Sequence, residues 1–174
     1  MASKKLKIIL FGDPALRQKA KPVTVFHKKL HTLIDSIALT LDEREDGAAL
    51  AANQVNILKR ITVIDYEGEY LELINPEIIF SEGEIIKREG CLSFPGYTGL
   101  VPRAEFVKVK YKDRFGKENI IERKGNFARA LQHEIDHLEG ILFIDRMTDD
   151  YLISNSSDEK IEREKVLDIV NGKS

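Results

Sequence analysis

A chain of 174 residues, 43 % of them hydrophobic, is sized for one domain with its own core. Its formal net charge of −2 gives no general attraction to nucleic acid or to acidic membranes, so neither is an expected partner. The single cysteine, Cys91, excludes a disulfide within the chain and suits a reducing compartment, making the cytoplasm the expected location.

The first seven residues are basic, and the apolar run at 8–11 is too short for a secretory signal core. No stretch approaches transmembrane length. Leu30, Leu33, Ile34, Ile37, Ala38 and Leu41 recur at helical spacing and predict an amphipathic helix over 29–45, ended by Asp46-Gly47. Residues 61–66 are apolar and β-branched, a strand that turns at Glu67-Gly68 into a second strand over 70–74, stopped by Asn75-Pro76. Short strands are expected at 78–80 and 84–88. In 106–112 the apolar Val107, Val109 and Tyr111 alternate with Lys108, Lys110 and Lys112, a strand with one wet face; 119–122 returns as its partner.

A second helix opens at Gly125-Asn126 with Asn126 as its N-cap, and Gly140 caps its end. Residues 150–174 are polar, with a charged terminal helix expected over 158–170. No linker or repeat divides the chain. The expected fold is α+β: one catalytic domain over 1–174, with largely antiparallel sheets around a central motif-bearing helix, an N-terminal helix and a C-terminal helix.

That central helix carries His133-Glu134-Ile135-Asp136-His137. Two imidazoles four residues apart on one helix face can grip one metal ion, with the intervening glutamate placed to take a proton from a bound water. A catalytic site needs a third protein ligand and an open position. A metzincin-type protease would place a third histidine where this chain has Phe143, which cannot bind metal. Glu159, Glu162 and Glu164 lie in a charged segment that reads as a solvated face. His27 and His31 have no partner motif and read as surface residues. Cys91 follows a glycine and precedes Pro95-Gly96, and a thiolate is a strong ligand for zinc or ferrous iron. Two other readings stand beside the hydrolase: a small metallopeptidase, and a non-catalytic module holding a structural ion.

Glu89-Gly90-Cys91-Leu92-Ser93, Gln132-His133-Glu134-Ile135-Asp136-His137-Leu138 and Gly47-Ala48-Ala49-Leu50-Ala51-Ala52-Asn53-Gln54 together resemble the peptide deformylase family of bacterial type. The opening, Gly12-Asp13-Pro14-Ala15-Leu16-Arg17 with Ala20-Lys21-Pro22-Val23, is also similar, so the resemblance spans nearly the whole chain. It implies a metal-dependent hydrolase that removes the formyl group from N-formylmethionine on new polypeptides and releases formate. It implies Cys91, His133 and His137 as metal ligands, with Fe2+ in the cell and Zn2+, Ni2+ or Co2+ as substitutes.

Under the same resemblance Glu134 takes the proton of the activated water and passes it to the leaving amine. The Gln54 amide and the Leu92 backbone N–H meet the oxyanion. Ala48, Ala49, Asn126 and Ala130 wall the methionine pocket, and the peptide backbone lies along Gly47–Ala49 and Gly90 like an added strand. The family usually has glycine where this chain has Ala49, which implies altered affinity rather than lost activity. Glu89 is expected to support the ligands, Asp136 to pair with Arg103, and Arg129 to sit on the pocket rim or surface. Formylated nascent peptides are the implied partners, with the ribosome near its exit tunnel and the terminal helix as its contact by analogy.

Overall fold

The computed structural model describes residues 2–172. Helix α1 (Lys28–Asp42) is followed by strands β1 (Ala49–Ala51), β2 (Ile61–Tyr66), β3 (Glu69–Glu82), β4 (Ile85–Cys91), β5 (Phe94–Arg103), β6 (Phe106–Lys112) and β7 (Glu118–Lys124). Then come α2 (Gly125–Leu138), the one-turn α3 (Phe143–Arg146), β8 (Tyr151–Ser154), β9 (Lys160–Glu162) and α4 (Arg163–Val170). The strands form two sheets, β1-β2-β3-β6-β7 and β4-β5-β8-β9, whose strand pairings are antiparallel. The expected α+β architecture is therefore present.

Strand β2 explains why its sequence is apolar without alternation. Ile61 and Val63 pack with Leu30, Ile34, Ile37 and Leu41 of α1, whereas Ile64 packs with Phe127, Leu131 and Ile135 of α2. A strand covered on both faces needs apolar residues on both. Burying side chains such as Ile34 and Leu131, both 0 % exposed, contributes about 1.5–3 kcal/mol each. The second sheet has its own core, where Phe94 and Val101 meet Phe143, Leu152 and Val166. Phe143, excluded above as a ligand, is a core residue there, packed edge-on to Phe94.

Several boundaries differ from the sequence expectation. Asn75-Pro76 does not stop a strand: β3 runs through it, with register shifts on β6 near Ile74 and near Ile78. Asn75 takes a positive φ of 52° there, and its side chain exchanges two hydrogen bonds with Val23, which absorbs the irregularity. Strand β5 was not anticipated, because Pro95-Gly96 reads as a turn; its pairing with β4 and β8 is non-local. The N-cap of α2 is Lys124, not Asn126, which lies inside the helix and accepts a hydrogen bond from Lys87 Nζ at 3.0 Å. Residues 158–170 are not one helix: β9 occupies 160–162, and the helix begins at Arg163. His27 is exposed as expected but also caps α1 through Nδ1, while His31 is half-buried and bonds the Arg114 carbonyl at 2.8 Å.

Candidate metal centre

Helix α2 lies between the two sheets, with Phe127, Ala128, Leu131 and Ile135 on the first. His133, Glu134, Asp136, His137 and Leu138 are buried on it as well. Gly140 ends the helix with φ +75°, and a Cβ there would stand 2.5 Å from the Arg17 carbonyl oxygen. Only glycine suits both the left-handed backbone and that approach.

The last residue of β4, Cys91, meets this helix. Its Sγ is 3.3 Å from His137 Nε2, which is 3.1 Å from His133 Nε2. The three donor atoms lie within 4.8 Å of one another, the one such His/Cys/Asp/Glu group among the described residues. Donors bound about 2.1–2.3 Å from a tetrahedral ion stand about 3.4–3.7 Å apart, close to these separations. One proton can bridge the two Nε2 atoms but bonds only those two, whereas a cation can bind both nitrogens and the sulfur together. The residues fit a bound metal.

Glu89 orients this donor set. Its Oε1 is 2.6 Å from His133 Nδ1, which leaves Nε2 facing Cys91 and His137. Arg103 grips Glu89 at 3.2 and 2.7 Å and reaches Asp136 at 2.5 Å, as anticipated for the Arg103–Asp136 pair. Arg146 holds the other side of Asp136. Burial works against the Glu89 carboxylate, but bonds from His133 and Arg103 outweigh it and hold its pKa well below the usual range. Arg129 does more than line the rim: it donates to Glu89 and to the Val101 and Ile85 carbonyls, all at 2.7–2.9 Å. Its role was missed because an arginine facing two strands from a helix carries no local signature.

Burial sets the direction of the shift at Glu134 and His137 but is outweighed at His133. It opposes charge on His133, yet bonds to Cys91 and Glu89 raise this histidine's pKa. Burial and the neighbouring His133 lower that of His137. Burial lifts Glu134 to about 7, reinforced by Glu89 and countered by His133, Thr62 and Arg103. Its Oε1 is 3.9 Å from His133 Nε2, and its Oε2 is a buried acceptor without a partner among the described residues. A carboxylate poised near neutrality suits the transfer of a proton.

Gln54 is fully buried and accepts from Ala51 N through Oε1, which aims its amide nitrogen at Cys91 Sγ (3.5 Å) and Ser93 Oγ (3.2 Å). Leu92 lines the same groove, an open cleft of about 540 Å³. Gly47, Ala48, Ala49, Gly90, Asn126, Ala130 and Glu134 line it too. The anticipated residues thus come together from β1, the 3-10 turn Ala52–Val55, β4 and α2. Arg88, Tyr97 and Asn155 also line the groove. Nothing in the sequence pattern singled them out.

The family model described as polypeptide deformylase matches residues 5–151. The chain belongs to the polypeptide deformylase family. It is 54 % identical over 135 residues to a peptide deformylase of Thermoanaerobacter pseudethanolicus, covering 78 % of this chain and 84 % of the relative. It is 57 % identical to that of Halothermothrix orenii, covering 82 % of this chain and 93 % of the relative. The crystal structure of the Thermotoga maritima peptide deformylase superposes with a TM-score of 0.80 at 41 % identity, over 83 % of this chain and 99 % of that one. A Synechococcus elongatus peptide deformylase in complex with actinonin covers 99 % of this chain and 91 % of its own, with TM-score 0.81 at 37 % identity. The chain is therefore an enzyme of the hydrolase class.

Proposed function

We propose that this chain removes the formyl group from N-terminal formylmethionine of new polypeptides, with formate and a free amine as products. The observation that carries the reading is the convergence of Cys91, His133 and His137 beside the buried acceptor Glu134. A divalent metal held by these three residues would polarise the formyl carbonyl and acidify a water at its open position. Ferrous iron is the proposed ion in the cell, with zinc, nickel or cobalt as substitutes.

Glu134 accepts the water's proton and delivers it to the leaving nitrogen, for which its environment near pKa 7 is suited. The Gln54 amide N–H, held by its contact with Ala51, donates to the oxygen that gains charge, alongside the Leu92 backbone N–H. Strands β1 and β4 end their respective sheets, so each offers backbone groups on its groove side. A substrate peptide lies between Gly47–Ala49 and Gly90 as an added strand. Its methionine side chain rests against Ala48, Ala49, Asn126 and Ala130, and the Ala49 methyl group narrows that slot. The proposed setting is the cytoplasm near the ribosomal exit tunnel, with one catalytic domain spanning the chain.

Replacing Glu134 with alanine tests the reading. Metal content measured by elemental analysis stays at the wild-type level, and formate release from a formyl-Met peptide drops by about 100-fold or more. Unchanged release removes Glu134 from its role. Cleavage of internal peptide bonds by the wild-type protein without formate release favours a metallopeptidase instead.

A further inference from the structure

Residues 4–10 belong to no helix or strand, yet with Phe11 their backbone links both halves of the fold. The Lys4 N–H donates to Ser36 Oγ at 3.0 Å and the Leu6 N–H to Thr40 Oγ1 at 2.9 Å, which lays this segment along α1. Ser36 and Thr40 are buried and donate to carbonyls of their own helix, so each oxygen has a lone pair left to accept. Leu6 and Ile8 pack on the core that α1 shares with β2, whereas Ile9 and Phe11 pack on the core of the second sheet. Phe11 lies edge-on to Phe94 there, with ring centroids 5.0 Å apart.

Where it crosses from one core to the other, the segment holds both walls of the metal centre. The Ile9 N–H donates to the Gln54 main-chain carbonyl at 2.8 Å, and the Phe11 N–H to that of Ser93 at 2.7 Å. Gln54 stands in the 3-10 turn after β1, and Ser93 follows Leu92 in the turn between β4 and β5. Among the described residues no backbone hydrogen bond joins 49–55 directly to 91–93. The polar link between them is Gln54 Nε2, on Cys91 Sγ and Ser93 Oγ. That link loosens when Nε2 turns one of its N–H groups to a substrate oxygen. Leu92 also packs on the first core, but apolar contact fixes no direction. The two backbone bonds of the segment persist while the amide is engaged elsewhere.

We propose that residues 6–11 are a positioning strap: the Ile9 and Phe11 N–H groups set the spacing between Gln54 and Leu92, the two donors assigned to the oxyanion. Neither Ile9 nor Phe11 lines the groove, so both act through the main chain of the residues they hold. The proposal rests on the deformylase reading.

The test replaces the amide of Ile9, and separately that of Phe11, with an ester by incorporating the matching α-hydroxy acid. Each ester removes one N–H donor and keeps the side chain. On formyl-Met-Ala amide, kcat is expected to fall about 10-fold, with KM within about twofold and metal content at the wild-type level. The Ile9 ester is then combined with Gln54→Ala. An ester that acts through Gln54 lowers kcat no further in that background, whereas a general loosening of the fold lowers it by the same factor in both. Where an ester does not fold, as melting temperature shows, Thr40→Val removes the acceptor of Leu6 and enters the same cycle with an expected fall of about 3-fold. Wild-type kcat in the folded variants, or an equal factor with and without Gln54, overturns the proposal and leaves the deformylase reading intact. No formate release by the metal-loaded wild-type protein defeats that reading itself.

Discussion

Gln54 illustrates how one residue gains a role from its surroundings. As sequence it is a polar residue after a glycine-alanine segment, and only the family resemblance distinguishes it. In the fold its Oε1 is occupied by Ala51 N, so the amide nitrogen has one direction left, toward Cys91 and Ser93. Such a preorganised donor costs no reorganisation as charge develops. Gln54→Ala is expected to lower kcat on a formyl-Met peptide by about 100-fold with a much smaller change in KM. Steady-state kinetics separate the two; a rise in KM alone would make Gln54 a binding residue. Cys91, His133, Glu134 and His137 were legible earlier because their chemistry is written in residue type and spacing.

At the scale of elements, α2 was readable because its apolar and metal-binding positions repeat with the helical period. Its beginning was not: Asn126 is a good N-cap by type, but Gly125, with φ +64°, already opens the helix after Lys124. Its end depends on Gly140, pressed against the Arg17 carbonyl. Gly140→Ala must move backbone at both places, and a loss of about 1–3 kcal/mol is expected. Urea denaturation measures it, and a loss below about 0.5 kcal/mol would show that the 3-10 turn at Pro14–Arg17 yields easily. Strand β5 escaped notice for the opposite reason. Its Pro95 and Gly96 oppose a strand locally, and its pairing with β4 and β8 overrides them.

For the molecule as a whole, ion pairs tie distant segments to the sheets. Glu139, just after α2, takes Arg60 at 2.5 Å and Lys19 at 2.9 Å. Burial disfavours its charge, but these two cations outweigh that and lower its pKa. A carboxylate lowered in this way stabilises the fold above its unfolded pKa of about 4.3, and that contribution fades as pH falls through the folded value. Glu139→Gln is expected to melt below wild type at pH 7, with the difference shrinking toward pH 3. Equal melting temperatures at pH 7 would leave the pair without net effect, as exposed pairs often are.

The sequence by itself determined the helix that carries the histidines, the donor types able to hold a metal, the α+β class and, through three motifs, the family. Those features depend on residue type and on periods of a few residues. The tertiary structure decided which sulfur meets which nitrogen, how Arg129 and Arg103 hold Glu89 beneath His133, and where Asn155 lies. Cys91 and His137 are 46 positions apart, and Arg88 and Asp158 are 70 apart. Contacts over such separations follow from how two sheets close around α2, and no local pattern in the chain encodes them.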